Sequence, residues 1–419
     1  MEKLIITGGK RLEGTIRISG AKNAVLPIIA GALLTKEEVI LNNVPALQDV
    51  RMMAELAQSM GAKIRFKDNT MHIRPHDLVE KEMPESLAGE IRTSSLMIGA
   101  LLHRLGKVRV PLPGGCVIGT RKIDLHIIGL NALGAEIEVN ERYIEARTAG
   151  LNGADITLEF PSVGATENTM IAACLAEGAS VIRNAAKEPE IVDLANFLNS
   201  MGAEIKGAGT DTIKIHGVEN LSGTNYSIIP DRINTGTYMV AAAITGGNIL
   251  LENTDLNLLK SVVAKLREIG VEITETEEGE VNVIAPDVIQ PANVTTEVYP
   301  GFPTDMQPII TPLLVLADGE SMIKETIFDN RFNHVPELRK MGADIEIEGD
   351  TAIVNGVDRL RGAQVTASDL RAGAALVLAG LAAKGETVID NVYQIDRGYK
   401  NIDGKLRGVG AEIKRRGDN

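Results

Sequence analysis

The run Pro111-Leu112-Pro113-Gly114-Gly115-Cys116-Val117-Ile118-Gly119-Thr120-Arg121-Lys122-Ile123-Asp124-Leu125-His126 holds a thiol among two prolines and three glycines, just ahead of two cations. Such composition predicts a mobile surface loop with hinge freedom. A partly exposed thiol near cations has a lowered pKa and reacts as thiolate. The alternative is an incidental loop cysteine. Cys174, within Ile171-Ala172-Ala173-Cys174-Leu175-Ala176, reads instead as a packed small apolar residue. A second candidate is Ser19-Gly20-Ala21-Lys22-Asn23, where a Lys at a helix start suits phosphate or carboxylate. The competing reading is a solvated Lys after a Gly turn. Third, Pro303-Thr304-Asp305-Met306-Gln307 puts a carboxylate at another helix start. It reads either as an N-cap or as a general base facing a substrate hydroxyl. Fourth come Arg92, Arg232, Arg331, Arg371 and Arg397 near helix starts or in loops. Singly they read as surface ion pairs. With Lys22 and Arg121 they could instead form a cluster that holds a doubly charged anion.

These residues sit on a repeat. The phrase Met60-Gly61-Ala62-Lys63-Ile64 returns around Gly134, Gly202, Gly270, Gly342 and Gly410, at steps of 68 to 73 residues, so one supersecondary unit is used six times. Helical spacing precedes each phrase, as in Leu258, Leu259, Val262, Val263, Leu266 and Ile269, and the glycine fits a helix C-cap. Period-2 alternation follows, as in Ala411-Glu412-Ile413-Lys414, then a second strand pattern such as Thr212-Ile213-Lys214-Ile215. Each unit opens with a helix rich in small apolar residues: Ala24 to Leu34, Ser94 to Leu102, Thr166 to Leu175, Thr235 to Ile244, Asp305 to Leu316 and Leu370 to Leu381. Lacking a wide polar face, these helices are predicted to be buried. A glycine before a third strand completes the unit, as at Gly178, Gly247 and Gly385. Six α/β units imply two halves of three, with a break near Tyr226 to Asp231. Residues 1–18 resemble the strand pair that precedes a helix elsewhere, so they are expected to complete a unit in the far half. The chain would then cross between halves near residues 20 and 230.

Composition narrows the function. With 44% hydrophobic residues the chain can build large cores, and no apolar run approaches a membrane span. No charged-then-apolar leader opens the sequence. Two cysteines suggest a reducing, cytoplasmic setting. A net charge of −13 argues against general nucleic-acid binding, so an anionic ligand needs a local basic cluster. Metal-ligand spacing, a Walker A loop, a dinucleotide fingerprint and a nucleophile elbow are all missing, so neither metal nor cofactor is expected.

Together the sixfold unit, Lys22-Asn23, the cysteine loop and the Asp305 segment resemble the UDP-N-acetylglucosamine enolpyruvyl transferase family. The likeness covers essentially the whole chain. Gly114-Gly115-Cys116 with Arg121 and Asp124-Leu125-His126 separates it from the sister shikimate-pathway transferase, which shares the architecture but not this loop. The resemblance implies a two-domain inside-out α/β barrel, or inverse α/β prism, with six βαβαββ-type units. The domains would be residues 22–229, carrying the cysteine loop at about 111–122, and residues 1–21 plus 230–419, with the active site in the cleft between them. It implies transfer of the enolpyruvyl group of phosphoenolpyruvate to the 3′-hydroxyl of UDP-N-acetylglucosamine, at the first committed step of peptidoglycan synthesis. By the same resemblance, Lys22 and Asn23 hold phosphoenolpyruvate, with Arg121 and Arg397 on its anionic groups. Cys116 protonates the methylene carbon and can form a covalent adduct, and Asp305 is the base at the attacking hydroxyl. Arg92, Arg121, Lys122, Ile123, Asp124, Leu125, Ser162, Val163, Gly164, Asp305 and Ile327 match the nucleotide-sugar contacts. Arg331 and Arg371 complete the expected set of substrate-binding residues. The pattern departs at one place: many relatives carry a Lys just before Ser162, where this chain has Phe160-Pro161. Three other readings compete: the sister transferase, a non-catalytic sugar-nucleotide-binding paralogue, and an RNA 3′-phosphate cyclase-like protein. The intact Lys22, Cys116, Asp305 and Arg397 weigh against the second, and the acidic charge against the third.

Overall fold

The computed structural model describes residues 2–80, 82–88, 92–112 and 123–417, apart from the side chains of Ala88 and Arg92. In it the six repeated glycines all have positive φ: 104° at Gly61, 91° at Gly134, 105° at Gly202, 103° at Gly270, 94° at Gly342 and 101° at Gly410. Each ends a helix by the same two hydrogen bonds. The Gly61 N–H donates to the Gln58 carbonyl and the Ala62 N–H to the Ala57 carbonyl; Gly410 and Ala411 donate likewise to Arg407 and Leu406. This double closure satisfies carbonyls that a helix end would otherwise orphan, and it turns the chain into the next strand.

A second device recurs in four units. Asn43, Asn184, Asn253 and Asn391 each follow a strand, with φ between 51° and 61°. Their side-chain amides donate to the carbonyls of Ile228, Leu158, Ile18 and Ala367 at 2.7–2.9 Å. Asn adopts this left-handed conformation more readily than most residues, and here it ties a strand end to the segment that leads into a buried helix.

The described residues form two compact units. One comprises residues 2–19 and 230–417; the other takes the described residues from Gly20 to Ile229. Each has its own hydrophobic core. In the first, helices Arg232–Ile244, Gln307–Val315 and Leu370–Ala382 touch pairwise at the centre. Every residue of the first two is buried, and Arg371 to Leu381 of the third. Three four-stranded sheets surround them. Glu13–Arg17 runs parallel to Asn248–Glu252, which pairs antiparallel with Val281–Ile284 and through it with Glu272–Glu275. Val294–Thr295, Glu320–Lys324, Thr351–Asn355 and Asp344–Glu348 repeat that order. In the third sheet Lys3–Thr7 lies between Glu386–Asp390 and Glu412–Arg416, with Ile6 opposite both Thr387 and Ile413. The N-terminal strand thus fills the place that the second strand of a repeat holds elsewhere.

The other unit follows the same plan around helices Lys22–Gly31, Met97–Leu105 and Val163–Ala173, which also touch pairwise. Its sheets are Asn225–Ser227 with Val39–Asn42, Thr70–Arg74 and Lys63–Lys67; Asp155–Thr157 with Ala179–Arg183, Thr212–His216 and Glu204–Lys206; and Lys107–Pro111 with Tyr143–Arg147 and Glu136–Val139. Helices rich in Ala, Leu and Ile are enclosed by sheets that turn only one face outward. The predicted mixed α/β, inside-out architecture is therefore present in each unit. Among the described residues, no helix is long and apolar enough to cross a membrane.

Two stability tests follow from this packing. A Cβ at Gly202 would meet nothing within 4 Å, whereas one at Gly61 would lie 2.3 Å from the Asp77 carbonyl oxygen. Gly202→Ala is expected to cost about 1–2 kcal/mol from backbone conformation alone, and Gly61→Ala distinctly more. Urea unfolding checks the order, and equal losses would show that conformation alone matters.

His334 is 1% exposed, with Nε2 3.1 Å from the Thr311 hydroxyl. Burial pushes its pKa down from 6.5 to about 4, opposed by the Asp369 charge and by a backbone hydrogen bond with Arg331, and helped by the Arg331 charge. The unfolded chain therefore binds this proton first. The stabilisation is complete above about pH 6.5 and is lost as pH falls towards 4, on the order of 3 kcal/mol in all. His334→Gln should flatten that part of the stability profile, and an unchanged slope would rule out His334 as its source.

Candidate active site

Asp305 lies in the first of the two units. A 3-10 turn, Thr304–Met306, precedes helix Gln307–Val315, and the position ahead of the turn is held by Pro303. Asp305 thus sits inside the turn rather than at its cap. Its Oδ1 accepts from Arg331 Nη2 at 2.7 Å; its Oδ2 accepts from Arg371 Nη2 at 2.9 Å and Nε at 3.1 Å. Both guanidinium side chains are 2% exposed and the carboxylate 26%. Arg331 and Arg371 therefore depart from the surface-pair reading of isolated arginines. Charge-assisted bonds with little water nearby are the strong kind, and the fork of Arg371 also fixes the carboxylate's orientation.

The pair is anchored to two buried helices. Asp369 caps helix Leu370–Ala382 by accepting from the N–H groups of Arg371 and Ala372, which sets where the Arg371 side chain starts. Arg371 Nη1 donates to the Tyr399 hydroxyl at 3.1 Å, and that hydroxyl lies 3.0 Å from the Thr237 hydroxyl. Thr237 already donates its proton to the Ile233 carbonyl, so Tyr399 is the donor between the two. From Arg371, donors thus point one way to Asp305 and the other way, through Tyr399 and Thr237, to helix Arg232–Ile244. Burial opposes the charge on Arg371, yet Asp305, Tyr399 and Asp231 together hold its pKa above the ordinary guanidinium value. Arg232 is 8% exposed, with its guanidinium 5.7 Å from the Tyr299 ring centre. Arg397 is half-buried after the short helix Tyr393–Asp396, and its Nη1 reaches Gln394 Oε1 at 3.3 Å. Ile327 is half-buried, and its N–H donates to Glu325.

In the other unit, Lys22 opens helix Lys22–Gly31 behind Ala21, which offers no capping side chain. Lys22 is 8% exposed rather than solvated, with Nζ 2.6 Å from the carboxylate of Asp49. A Cβ at Gly20 would fall 1.9 Å from the Asn43 carbonyl oxygen, so only glycine admits this close approach. Asn23 is half-buried beside Lys22.

A third group joins two stretches that are distant in sequence. Helix Asp124–Ala132 begins with exposed Asp124 and half-buried Leu125, after half-buried Ile123. Ser162 caps helix Val163–Ala173 by accepting from the Ala165 N–H. The His126 ring lies against Gly164, where a Cβ would come within 3.0 Å of two ring atoms. Asn168 fixes the ring: its Oδ1 accepts from the Gly99 N–H, so its amide nitrogen faces the Ser95 carbonyl and His126 Nδ1. The neutral imidazole then accepts at Nδ1 and carries its proton on Nε2. Val163 is half-buried, and Phe160, at the departure from the family pattern, is 45% exposed.

Cys116, Arg121 and Lys122 lie outside the described residues, and Arg92 is described only as the backbone that opens turn Arg92–Leu96. Cys174 is buried, donates to the Met170 carbonyl, and burial pushes its pKa up to about 12. It is therefore an inert thiol at neutral pH. The structure thus groups Asp305 with Arg331 and Arg371, and Ser162 to Gly164 with His126. It also adds Tyr399, Asp49 and Asn168, which no motif singled out. A helix-start Lys burying its ammonium needs a carboxylate, but nothing local to Lys22 identifies Asp49.

The family model of EPSP synthase (3-phosphoshikimate 1-carboxyvinyltransferase) matches residues 6–406. A UDP-N-acetylglucosamine 1-carboxyvinyltransferase 1 of Caldanaerobacter subterraneus subsp. tengcongensis is 52% identical over 414 residues, covering 99% of each chain. A second, from Carboxydothermus hydrogenoformans, is 52% identical over 99% of this chain and 98% of its own. UDP-N-acetylglucosamine 1-carboxyvinyltransferase 2 of the same organism is 50% identical over the full length of both. Among solved structures, the enolpyruvyl transferase NikO from Streptomyces tendae superposes with a TM-score of 0.90 at 23% identity, over 100% of this chain and 99% of its own. EPSP synthase from Acinetobacter baumannii superposes at 0.77 with 19% identity, over 99% and 100%. These two show the shared fold. The chain belongs to the EPSP synthase family of enolpyruvyl transferases, alongside relatives named UDP-N-acetylglucosamine 1-carboxyvinyltransferase.

Proposed function

We propose that this enzyme transfers the enolpyruvyl group of phosphoenolpyruvate to the 3′-hydroxyl of UDP-N-acetylglucosamine and releases phosphate, in the cytoplasm, at the entry to peptidoglycan synthesis. The observation that carries the reading is identity of 50–52% over whole chains with relatives named for this acceptor. The buried Asp305 cluster supports it, because a carboxylate held in fixed orientation suits proton transfer from a hydroxyl.

The chemistry requires an acid and a base on opposite partners. When the methylene carbon of phosphoenolpyruvate gains a proton, the adjacent carbon becomes electrophilic and the sugar hydroxyl adds to it. The tetrahedral adduct then expels phosphate while the new methyl group returns a proton, restoring the double bond. Cys116 is the proposed acid at the methylene carbon and Asp305 the base at the hydroxyl. A positioned acid or base contributes about 10²–10⁴ in rate. Lys22, Asn23, Arg121 and Arg397 are assigned to the anionic groups of phosphoenolpyruvate, where fixed cations also steady the departing phosphate. In that role Lys22 would exchange part of its interaction with Asp49 for the substrate. Arg92, Lys122, Ile123, Asp124, Leu125, Ser162, Val163, Gly164, Ile327, Arg331 and Arg371 are assigned to the sugar nucleotide. Arg331 and Arg371 reach it through the carboxylate that they orient.

The family model is named for a different acceptor, 3-phosphoshikimate, so acceptor choice is the decisive test. Phosphate release from phosphoenolpyruvate is measured with UDP-N-acetylglucosamine and, in parallel, with shikimate 3-phosphate. Release with the sugar nucleotide alone is expected. Release with shikimate 3-phosphate alone would move the protein to the sister activity, and silence with both from folded protein would favour a binding paralogue.

A further inference from the structure

The fifth repeat breaks the Asn pattern, and the replacement points at Asp305. Where Asn43, Asn184, Asn253 and Asn391 follow their strands, Glu325 follows strand Glu320–Lys324. It is 3% exposed and gathers four donors. Its Oε1 accepts from the Thr296 hydroxyl at 2.9 Å and from the N–H groups of Ile327 and Phe328 at 2.9 and 3.1 Å. Its Oε2 accepts from the Thr304 hydroxyl at 2.9 Å. Thr296 occupies the place of Ile18, Leu158, Ile228 and Ala367: in all five, the backbone N–H donates to the last residue of the neighbouring strand. The carbonyl that an Asn amide reaches in those units is reached here by the Thr326 hydroxyl. The helix start differs as well: the fourth and sixth repeats cap it with Asp231 and Asp369, whereas here Pro303 holds the cap position and Thr304 opens the turn. The two departures thus meet, because Glu325 bonds to the first residue of the turn that carries Asp305.

We propose that Glu325 is a positioning residue, which clamps the Thr304–Met306 turn to the Ile327-Phe328 backbone and so fixes the Asp305 carboxylate for the acceptor hydroxyl. This rests on the assignment of Asp305 above. The clamp works by hydrogen-bond geometry, and a buried carboxylate can hold four donors at once where the Asn of the other repeats could not. Two arginines also bond to the Asp305 carboxylate. Those fix the direction of the carboxylate but not the height of the turn.

The test uses Glu325→Ala, Glu325→Gln, Thr304→Val and Thr304→Ser in the full chain, with two readouts. Hydrogen–deuterium exchange of the peptide spanning residues 302–308 reads the clamp itself, whatever the enzyme's substrate. Exchange there should rise in Glu325→Ala and Thr304→Val and stay near wild type in Thr304→Ser. Steady-state kinetics then read its purpose. Glu325→Ala and Thr304→Val should lower kcat by about 10- to 100-fold, as displacement of a reacting group by about 1 Å does, with little change in the KM for phosphoenolpyruvate. Thr304→Ser restores most of kcat. Glu325→Gln also keeps most of it, because the amide oxygen accepts the three Oε1 bonds and the Thr304 hydroxyl can accept from the amide nitrogen. Unchanged exchange in Glu325→Ala would overturn the clamp. Raised exchange with unchanged kcat would overturn the positioning role, and a Glu325→Gln enzyme as impaired as Glu325→Ala would make Glu325 an ionising participant instead. A wild-type enzyme silent with both acceptors would sink the functional reading, while the exchange arm would still decide the clamp.

Discussion

Two guanidinium groups that are almost without water depend on one carboxylate. Removing an ion from water costs several kcal/mol even after the protein relaxes, and the cost is recovered only with a well-placed counter-charge. Arg331 and Arg371 meet that requirement at Asp305, from opposite oxygens. The consequence extends into the core: Arg371 gives a third N–H to Tyr399, Tyr399 donates to Thr237, and Thr237 donates to the backbone of a central helix. A residue assigned to chemistry is therefore also part of the packing of its unit. Its carboxylate cannot drift without disturbing three buried helices.

The repeat makes such placement possible. In each repeat a C-capping glycine ends one helix, and in four of them a strand-end Asn ties down the segment that leads into a buried helix. Helix starts carry several of the candidate residues: Lys22, Ser162 to Gly164, Asp305, and Arg371 behind Asp369. Structural repetition supplies the scaffold, and chemistry enters where one copy departs from its siblings. The fifth repeat shows this most fully, because its helix start, its strand-end residue and the loop after its strand have all changed together.

Much of this was legible in the sequence. The six Gly phrases marked the helix ends, and all six adopt the left-handed conformation that a C-cap requires. The Ala- and Leu-rich helices could be read as buried, because no polar face was available to meet water. Asp305, Arg331 and Arg371 were each identifiable, but not their meeting: Asp305 and Arg371 are far apart along the chain, and only the threefold packing of helices joins them. For the same reason the arginines looked like surface pairs. The Asn tie carried a sequence signal that the five-residue phrase did not contain, and two repeats lack it, so periodicity alone did not expose it. Asp49, Asn168 and Glu325 act through long-range hydrogen bonds or burial, which leave no local pattern. The role of His126 was hidden as well, because it depends on the bare backbone of Gly164 some forty residues on.

The central claim is that Asp305 neutralises two buried cations and so holds its unit together. The direct measurement is a double-mutant cycle in stability with Asp305→Asn, Arg371→Met and the pair, read by urea unfolding. Asp305→Asn leaves two buried guanidiniums without their shared counter-charge, so it is expected to cost about 3–5 kcal/mol and more than Arg371→Met. The double variant should lose clearly less than the two singles combined. If Asp305→Asn left stability unchanged or raised it, or if the two losses simply added, the carboxylate would not be the keystone of this site.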